Sequence, residues 1–234
     1  MRIGIVNFPG SDGTDCLLAW RLLGEEPVLL PPWETRIKDY DLLLLPGGFS
    51  YGDYLRPAAL ARYCPIVKEI IRFAREGGLV WGIGNGFQLL TEAGLLPGAF
   101  LPNKGLRFIC SPQHLKVESN NSAFTNQYES GEIIQIPISH GQGNYYIDDQ
   151  GLKELQDNKQ IVFRYVTPEG KAGEEGNPNG SRDRIAGIIN REGNILGMMP
   201  RPERVVEKLL GGLDGKKMFL SVQKYLERST QYEA

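Results

Sequence analysis

The residues most suited to chemistry lie in a glycine-punctuated segment, residues 79–90, with the sequence LVWGIGNGFQLL. An apolar run leads into Gly82, Gly84 and Gly86, and a helix-like apolar pattern follows them. A turn between a strand and a helix is a common place for a bound phosphate or a catalytic nucleophile, because backbone N–H groups at the start of the helix point outward. The segment therefore raises two hypotheses, a nucleotide cradle and a nucleophile turn.

The nucleotide hypothesis fits the segment poorly. A dinucleotide fingerprint needs the pattern G-x-G-x-x-G and an acidic residue about 20 positions later. Here Phe87 occupies the third glycine position, and Asn103 and Lys104 stand where the acid is needed. A Walker A loop is excluded because no Gly-Lys-Ser/Thr follows the turn.

The nucleophile hypothesis fits the spacing but not the residue. In the pattern G-x-Nuc-x-G the nucleophile sits on a sharp strand-to-helix turn, and the flanking glycines let the backbone pass closely. The helix N-terminus then stabilises a thiolate or an oxyanion. Residues 82–86 match this pattern, yet the nucleophile position is Gly84, which has no side chain. For Gly84 alone, a purely structural explanation stays open, in which glycine supplies a strained turn.

Few other residues offer nucleophilic or basic chemistry. The cysteines Cys16, Cys64 and Cys110 are scattered, with neither disulfide-framework nor metal-ligand spacing. We interpret them as buried structural residues of a reduced, cytoplasmic protein. The histidines are His114 and His140, and this scarcity matters because histidine is the usual general base.

Composition limits the partners. The chain has 234 residues, ordinary apolar and charged contents of 41% and 23%, and a net charge of -2. We therefore predict no binding to nucleic acid and none to an anionic membrane. No run approaches the roughly 18 apolar residues of a spanning helix, and the N-terminus lacks the apolar region of a signal peptide.

The elements that must position the glycine turn alternate between strands and helices. We predict strands over residues 2–8, 27–30, 42–45 and 79–83, and helices over residues 17–23, 58–76 and 87–93. The predicted core positions of the helix over residues 58–76 are Ala61, Ile66, Ile70, Ile71 and Phe73. This rhythm predicts an α/β fold, a doubly wound parallel sheet with helices on both faces.

After Pro102 the pattern changes to short strand-like runs over residues 106–111, 114–119, 132–139 and 161–166. We predict that they extend the same sheet in an antiparallel or mixed manner. An exposed, mobile loop over residues 167–184 follows, then a hairpin of residues 185–190 and 195–200, then closing helices over residues 205–210 and 216–226. No long linker or repeat interrupts the chain, so we predict one domain over residues 1–234.

Seven motifs occur in order along the chain and carry a specific resemblance. They are PGGFSYGDYLR at residues 46–56, GIGNGFQLL at 82–90, EAGLLPGAFLPN at 92–103, FTN at 124–126, PISHGQGNYY at 137–146, IAGIINREGNILGMMPRPER at 185–204 and DGKKMF at 214–219. Together they resemble the small, separate glutaminase subunits of phosphoribosylformylglycinamidine synthase, which are class I glutamine amidotransferases, over nearly the whole chain. The resemblance implies the fold of that class, a flavodoxin-like mixed sheet.

The resemblance also implies a reaction. In that family a cysteine thiolate attacks the side-chain amide of glutamine, a histidine acts as base and then as acid, and a glutamate orients the histidine. The ammonia passes to a synthetase partner, to which a small third subunit forms a bridge. The synthetase uses ATP and magnesium in a step of de novo purine biosynthesis, and no cofactor is expected in this chain itself.

Carried over residue by residue, the catalytic set is incomplete. The cysteine position is Gly84, the histidine position is Arg201 in PRPER, and only the glutamate is present, as Glu203. Arginine stays protonated and has no acceptor nitrogen, so Arg201 cannot serve as a general base. We expect Arg201 to form an ion pair with Glu203 or to capture a carboxylate. Glutaminase activity is predicted to be absent or very low.

The glutamine-binding residues are better preserved. By resemblance, the backbone amides of Gly48 and Asn85 form the oxyanion hole. The other residues expected to contact L-glutamine are Phe49, Gln88, Ser139, His140 and Gly141. A role for His140 as a substitute base is not favoured, because no nucleophile accompanies it. The segments 50–56 and 103–108 are candidate partner-facing surfaces.

Three functions therefore stay open. The chain is a catalytically impaired glutaminase subunit, a non-catalytic scaffold or glutamine- or carboxylate-binding subunit of the same complex, or a nucleotide-binding α/β protein.

Overall fold

A computed structural model describes residues 1–232 of the chain, with side chains for residues 1–228. The strands are β1 (Ile3–Val6), β2 (Val28–Leu30), β3 (Leu42–Leu45), β4 (Leu79–Ile83), β5 (Ala99–Leu101), β6 (Ile109–Val117), β7 (Ile133–His140), β8 (Asn144–Tyr146), β9 (Ile161–Val166), β10 (Ile185–Ile189) and β11 (Ile195–Met198). The helices are α1 (Gly13–Arg21), α2 (Pro65–Arg75), α3 (Asn85–Glu92), α4 (Asp149–Asp157) and α5 (Lys216–Tyr232).

A nine-stranded mixed sheet in the order β2-β1-β3-β4-β11-β10-β9-β6-β7 forms the centre of the fold. The strands from β2 to β11 in this order pair in parallel, and the pairs from β11 to β7 are antiparallel. A separate ribbon pairs β5 with β8. The predicted α/β fold and the predicted antiparallel extension of the sheet are thus confirmed, as is the hairpin of β10 and β11.

The parallel strands β1, β3, β4 and β11 are buried on both faces, whereas the edge strand β2 is partly exposed. In β3, Leu42 and Leu44 belong to one apolar core, which α1 and α5 cover, whereas Leu43 and Leu45 belong to the other, which α2 and α3 cover. Successive side chains of a strand point to opposite faces. An unbroken run of leucines is therefore what a strand between two helical layers requires.

The predicted helix over residues 58–76 was too long. The helix begins only at Pro65, and a separate 3-10 turn, Ala61–Tyr63, precedes it. A residue before proline is pushed out of the helical region, and Cys64 accordingly has extended dihedrals, φ -66° and ψ 143°. Of the predicted core positions, Ile71 is only half-buried.

The predicted helix over residues 205–210 was wrong. Two 3-10 turns, Pro202–Arg204 and Lys208–Leu210, stand in its place. Val205 and Val206 are both buried although they are adjacent in sequence. In a regular helix two successive side chains point in different directions. The irregular backbone allows both valines to be buried, and this burial stabilises the chain more than the weak helical pattern would.

Further differences lie in the second half of the chain. The runs over residues 106–111 and 114–119 form one strand, β6, and the sequence pattern did not reveal α4, β5 or β8. The loop over residues 167–184 is exposed mainly in its first half. In its second half Asn179 is fully buried, and its amide donates to the Gly143 carbonyl at 2.8 Å.

None of the helices in residues 1–232 combines the length and the apolar character that a membrane span requires.

Candidate active site

Gly84 forms a strained turn between β4 and α3. Its backbone has φ 52° and ψ -109°, a combination that residues with a Cβ rarely adopt. The Gly84 N–H donates to the Met198 carbonyl at 2.7 Å, which ties the turn to β11. A Cβ on Gly84 would lie 3.4 Å from Arg201 Cδ and 3.6 Å from Gly47 Cα. The turn therefore has room for a side chain but carries none.

The flanking glycines are required by close packing. A Cβ on Gly86 would overlap the Leu45 carbonyl oxygen, and a Cβ on Gly82 would lie 2.6 Å from Leu90 Cδ1. This close approach holds the start of α3 directly beneath the turn. The first N–H groups of a helix have no intrahelical acceptor, and that of Asn85 is among them.

A cavity of ≈ 310 Å³ lies over this turn. All the predicted site residues except Glu203 line it, namely Gly48, Phe49, Gly84, Asn85, Gln88, Ser139, His140, Gly141 and Arg201. The remaining lining residues are Gly52, Asp53, Phe108, Gln142 and Met199. The carboxyl ends of the parallel strands β3, β4 and β11 meet at this edge of the sheet, which is where α/β sheets bind ligands.

Arg201 is held in a buried ion-pair network. Its side chain is 3% exposed, its Nε donates to Glu203 Oε1 at 2.5 Å, and its Nη2 donates to Asp12 Oδ2 at 2.8 Å. Burial disfavours the cation, but Glu203 and Asp12 more than offset this, so the pKa of Arg201 lies above its usual value. Of the two expected interactions, the ion pair with Glu203 is present. Because two carboxylates already compensate the guanidinium, its geometry does not favour capture of a third.

The cysteines lie outside the cavity. Cys16 is buried on α1, and burial, followed by the nearby Glu203 carboxylate, raises the pKa of its thiol well above the usual value. Cys64 Sγ lies 3.2 Å from Tyr51 Oη. Cys110 is exposed on β6, so its interpretation as a buried structural residue was wrong. The outward-facing positions of this strand alternate with its buried ones.

His140 is a buried, neutral side chain at the edge of the cavity. Its Nδ1 lies 3.1 Å from Asn103 Oδ1, which also accepts the Gly143 N–H at 2.9 Å. Its Nε2 lies 3.5 Å from Asn179 Nδ2. Burial lowers the pKa of His140 to about 4. Both ring nitrogens of His140 therefore face side chains of the protein.

Asn85 is the centre of a hydrogen-bonded chain that joins three walls of the cavity. Its Oδ1 accepts the Ser50 N–H at 3.1 Å, and its Nδ2 donates to Asp53 Oδ1 and to Gln88 Oε1, each at 3.0 Å. Gln88 Nε2 then donates to the Gln142 carbonyl at 2.8 Å. The loop after β3, the start of α3 and the loop after β7 are thereby fixed relative to one another.

Sequence reasoning missed two acidic residues of this region, Asp12 and Asp53. Each follows a glycine motif at the carboxyl end of a parallel strand, β1 for Asp12 and β3 for Asp53. Since the ends of neighbouring parallel strands share one edge of the sheet, this placement was the available signal. Burial raises the pKa of Asp53 to about 6. Within the described residues, no cluster of His, Cys, Asp and Glu has the arrangement of a metal site.

Comparison with known proteins agrees with this architecture. The model of the CobB/CobQ-like glutamine amidotransferase domain matches residues 24–220. The phosphoribosylformylglycinamidine synthase subunit PurQ of Moorella thermoacetica is 50% identical over 236 aligned positions, which cover 100% of each chain.

Two solved structures are also similar. A chain of the PurLQS structure from Thermotoga maritima is 47% identical with a TM-score of 0.85, and the match covers 96% of this chain and 98% of the other. A glutamine amidotransferase of Thermotoga maritima shares the fold at 15% identity, with a TM-score of 0.58, and that match covers 98% of this chain and 85% of the other. The resemblance that the motifs carry is confirmed at the level of the family. The chain therefore belongs to the PurQ family of phosphoribosylformylglycinamidine synthase glutaminase subunits, within the class I glutamine amidotransferases.

Proposed function

We propose that this chain is a glutaminase-type subunit of phosphoribosylformylglycinamidine synthase whose own glutaminase activity is absent or very low. One observation carries the proposal. Gly84 occupies the strained turn at the nucleophile position without a sulfur, and the buried cation Arg201 occupies the base position beside it.

Amide hydrolysis needs a nucleophile and a proton-transfer group, and neither is present at the expected positions. The attack on the glutamine amide needs a thiolate, which Gly84 cannot supply. The following proton transfers need a group that both accepts and donates a proton. Arg201 cannot act as this group, because a guanidinium has no acceptor nitrogen and its ion pairs with Glu203 and Asp12 favour the charged form. Glu203 is itself engaged by Arg201 rather than by a histidine.

We infer that the chain keeps the residues that would bind glutamine. We assign the oxyanion hole to the backbone N–H groups of Gly48 and Asn85, and glutamine contacts to Phe49, Gln88, Ser139, His140 and Gly141. The common cavity of these residues supports the assignment. The hydrogen bonds of Asn85 and Gln88 keep the wall ordered without a ligand, and such preorganisation lowers the cost of binding.

The proposal includes two protein partners. The Thermotoga maritima chain that is 47% identical to this one belongs to a PurLQS structure. We infer that this chain likewise associates with a synthetase and with a small bridging protein. ATP and magnesium are then used in the synthetase, and ammonia generated elsewhere can replace the missing glutaminase reaction.

Ammonia release from glutamine tests the proposal. The chain should release none when assembled with its synthetase and small bridging partners, whereas the double variant Gly84→Cys/Arg201→His should regain activity. Each single change should restore little, because members of a catalytic triad act as a unit. The room around the Gly84 Cβ position makes the cysteine sterically acceptable.

The matched control is Gly84→Ala/Arg201→His, which has the same backbone penalty and the same histidine but no thiol. Turnover by the unaltered chain at the rate of an intact triad would overturn the proposal. Equal activities of the cysteine and alanine double variants would overturn the role of position 84.

The second candidate function is a non-catalytic scaffold or glutamine-binding subunit, which the intact Asn85–Gln88 hydrogen bonds favour. Calorimetric titration with glutamine and co-purification with the synthetase distinguish the cases. Binding to the synthetase without binding of glutamine would indicate a scaffold alone. No feature within residues 1–232 supports the nucleotide-binding alternative. The absence of binding heat in calorimetric titrations with ATP and NAD would eliminate it.

A further inference from the structure

We propose that Asp53 is a specificity residue whose carboxylate binds the α-ammonium group of the amino acid in the cavity. The inference rests on the proposed function, since it takes the cavity to be a glutamine site. It goes further by naming the charged group that selects an α-amino acid over other amides.

The balance of charge in the cavity leads to Asp53. The ionisable side chains that line the cavity are Asp53, His140 and Arg201. His140 is neutral, because burial lowers its pKa to about 4. The charge of Arg201 is compensated by Glu203 and Asp12. Asp53 therefore supplies the uncompensated charge of the wall, and it is negative.

Asp53 is fixed by hydrogen bonds, and no cation among the side chains of residues 1–228 pairs with it. Its Oδ1 accepts from Asn85 Nδ2 at 3.0 Å, and the nearby backbone N–H of Ala58 also favours the charged carboxylate. Burial raises the pKa of Asp53 to about 6, and no positive group is among the influences that counter this rise. A half-buried carboxylate without a cation is costly, and an ammonium ion from a ligand would remove that cost with charge-assisted hydrogen bonds.

The position of Asp53 fits an amino acid that reaches the turn with its other end. Asp53 lies close to the turn, because it is hydrogen-bonded to the side chain of Asn85, the residue that directly follows Gly84. The loop around it is held by bonds from the Tyr51 N–H to the Pro9 carbonyl at 2.7 Å and from the Gly52 N–H to the Phe49 carbonyl at 2.8 Å. A ligand with an amide at one end and an ammonium at the other matches this wall.

The experiment compares two probes by calorimetry, L-glutamine and glutaramate, which is glutamine without its α-amino group. The unaltered chain should bind glutamine at least about tenfold more tightly than glutaramate. Asp53→Asn keeps the shape of the side chain but removes its charge. It should weaken glutamine binding about tenfold and leave glutaramate binding unchanged. Asp157→Asn, at an exposed position of α4, is the control and should change neither.

Several outcomes would overturn the inference. Equal losses for both probes would mean that Asp53 only supports the loop, and no loss for either would mean that it touches no ligand. Failure of the unaltered chain to bind glutamine would also refute it. Loss of association with the synthetase, with glutamine affinity intact, would assign the carboxylate to the partner instead.

A catalytic readout separates this inference from the proposed function. In the background Gly84→Cys/Arg201→His, the change Asp53→Asn should raise KM for glutamine about tenfold with little change in kcat, because the ammonium contact is the same in the ground and transition states. If the unaltered chain hydrolyses glutamine while Asp53→Asn still weakens the binding of glutamine and not that of glutaramate, the proposed loss of activity fails and the role of Asp53 stands.

Discussion

Removal of the Arg201 cation should destabilise the fold far more than removal of its neighbour Arg204. The Arg201 side chain is 3% exposed and that of Glu203 is 0% exposed. Arg201→Met keeps an unbranched side chain but leaves Glu203 and Asp12 without this cation. Breaking a buried pair by removing one partner costs about 3–5 kcal/mol, because the other charge stays buried and uncompensated. Arg204 is 42% exposed and pairs with Asp12 and Asp15, so Arg204→Met should cost less than about 1 kcal/mol.

Thermal and urea unfolding at pH 7 measure the difference. In a chain of this size a loss of 1 kcal/mol lowers Tm by about 2–4 °C. Arg201→Met should therefore lower Tm by roughly 6–20 °C, and Arg204→Met by less than about 4 °C.

A double-mutant cycle assigns the loss to the ion pair. Glu203→Gln removes the carboxylate charge from the same pair, and Arg201→Met/Glu203→Gln removes both charges. The loss of unfolding free energy in the double variant should be smaller than the sum of the two single losses by about 0.5–3 kcal/mol. If Arg201→Met were no less stable than Arg204→Met, or if the two changes at 201 and 203 were additive, the buried network would not hold Arg201 in place.

The remaining predictions concern the turn and two ionisable groups. Gly84→Ala should cost about 1–2 kcal/mol, because its Cβ has room and only the backbone conformation is penalised. Gly86→Ala should cost more, because its Cβ overlaps a carbonyl oxygen, and equal losses in urea unfolding would contradict this packing. As the pH falls from about 6.5 to 4, His140 should cost the fold up to about 3 kcal/mol, since its pKa is about 4 in the fold and about 6.5 when unfolded, so that the unfolded chain binds the extra proton. His140→Gln should flatten this part of a stability–pH curve, and an unchanged curve would argue against a neutral buried ring. The pKa of Asp53 is raised in the fold to about 6, so its charge is disfavoured there at neutral pH. Asp53→Asn should accordingly stabilise the chain at pH 7 by about 1 kcal/mol, allowing for partial exposure, and this gain should fade as the pH drops through about 6 to 4.

Patterns confined to a few neighbouring residues could be predicted well. The leucine run of β3 and the glycine spacing around Gly84 each arise from local geometry, namely the alternation of a strand and a strand-to-helix turn. Predictions failed where burial by distant segments competes with a weak local signal. Val205 and Val206 are buried side by side instead of forming a helix, and Asn179 is buried against Gly143 although its surroundings are typical of a surface loop.

For the candidate site, the chemistry of each residue could be predicted from the sequence, but the partners of these residues could not. That Gly84 lacks a nucleophile and that Arg201 lacks a proton-accepting nitrogen follow from residue type, because no fold can change which atoms a side chain contains. The partners of these residues depend on distance through space. The contact of Arg201 with Asp12 joins positions 189 residues apart, and the uncompensated charge of Asp53 appears only when every group around the cavity is in place. The order of the strands brings those ends together, and composition and spacing along the chain do not specify which charges then meet.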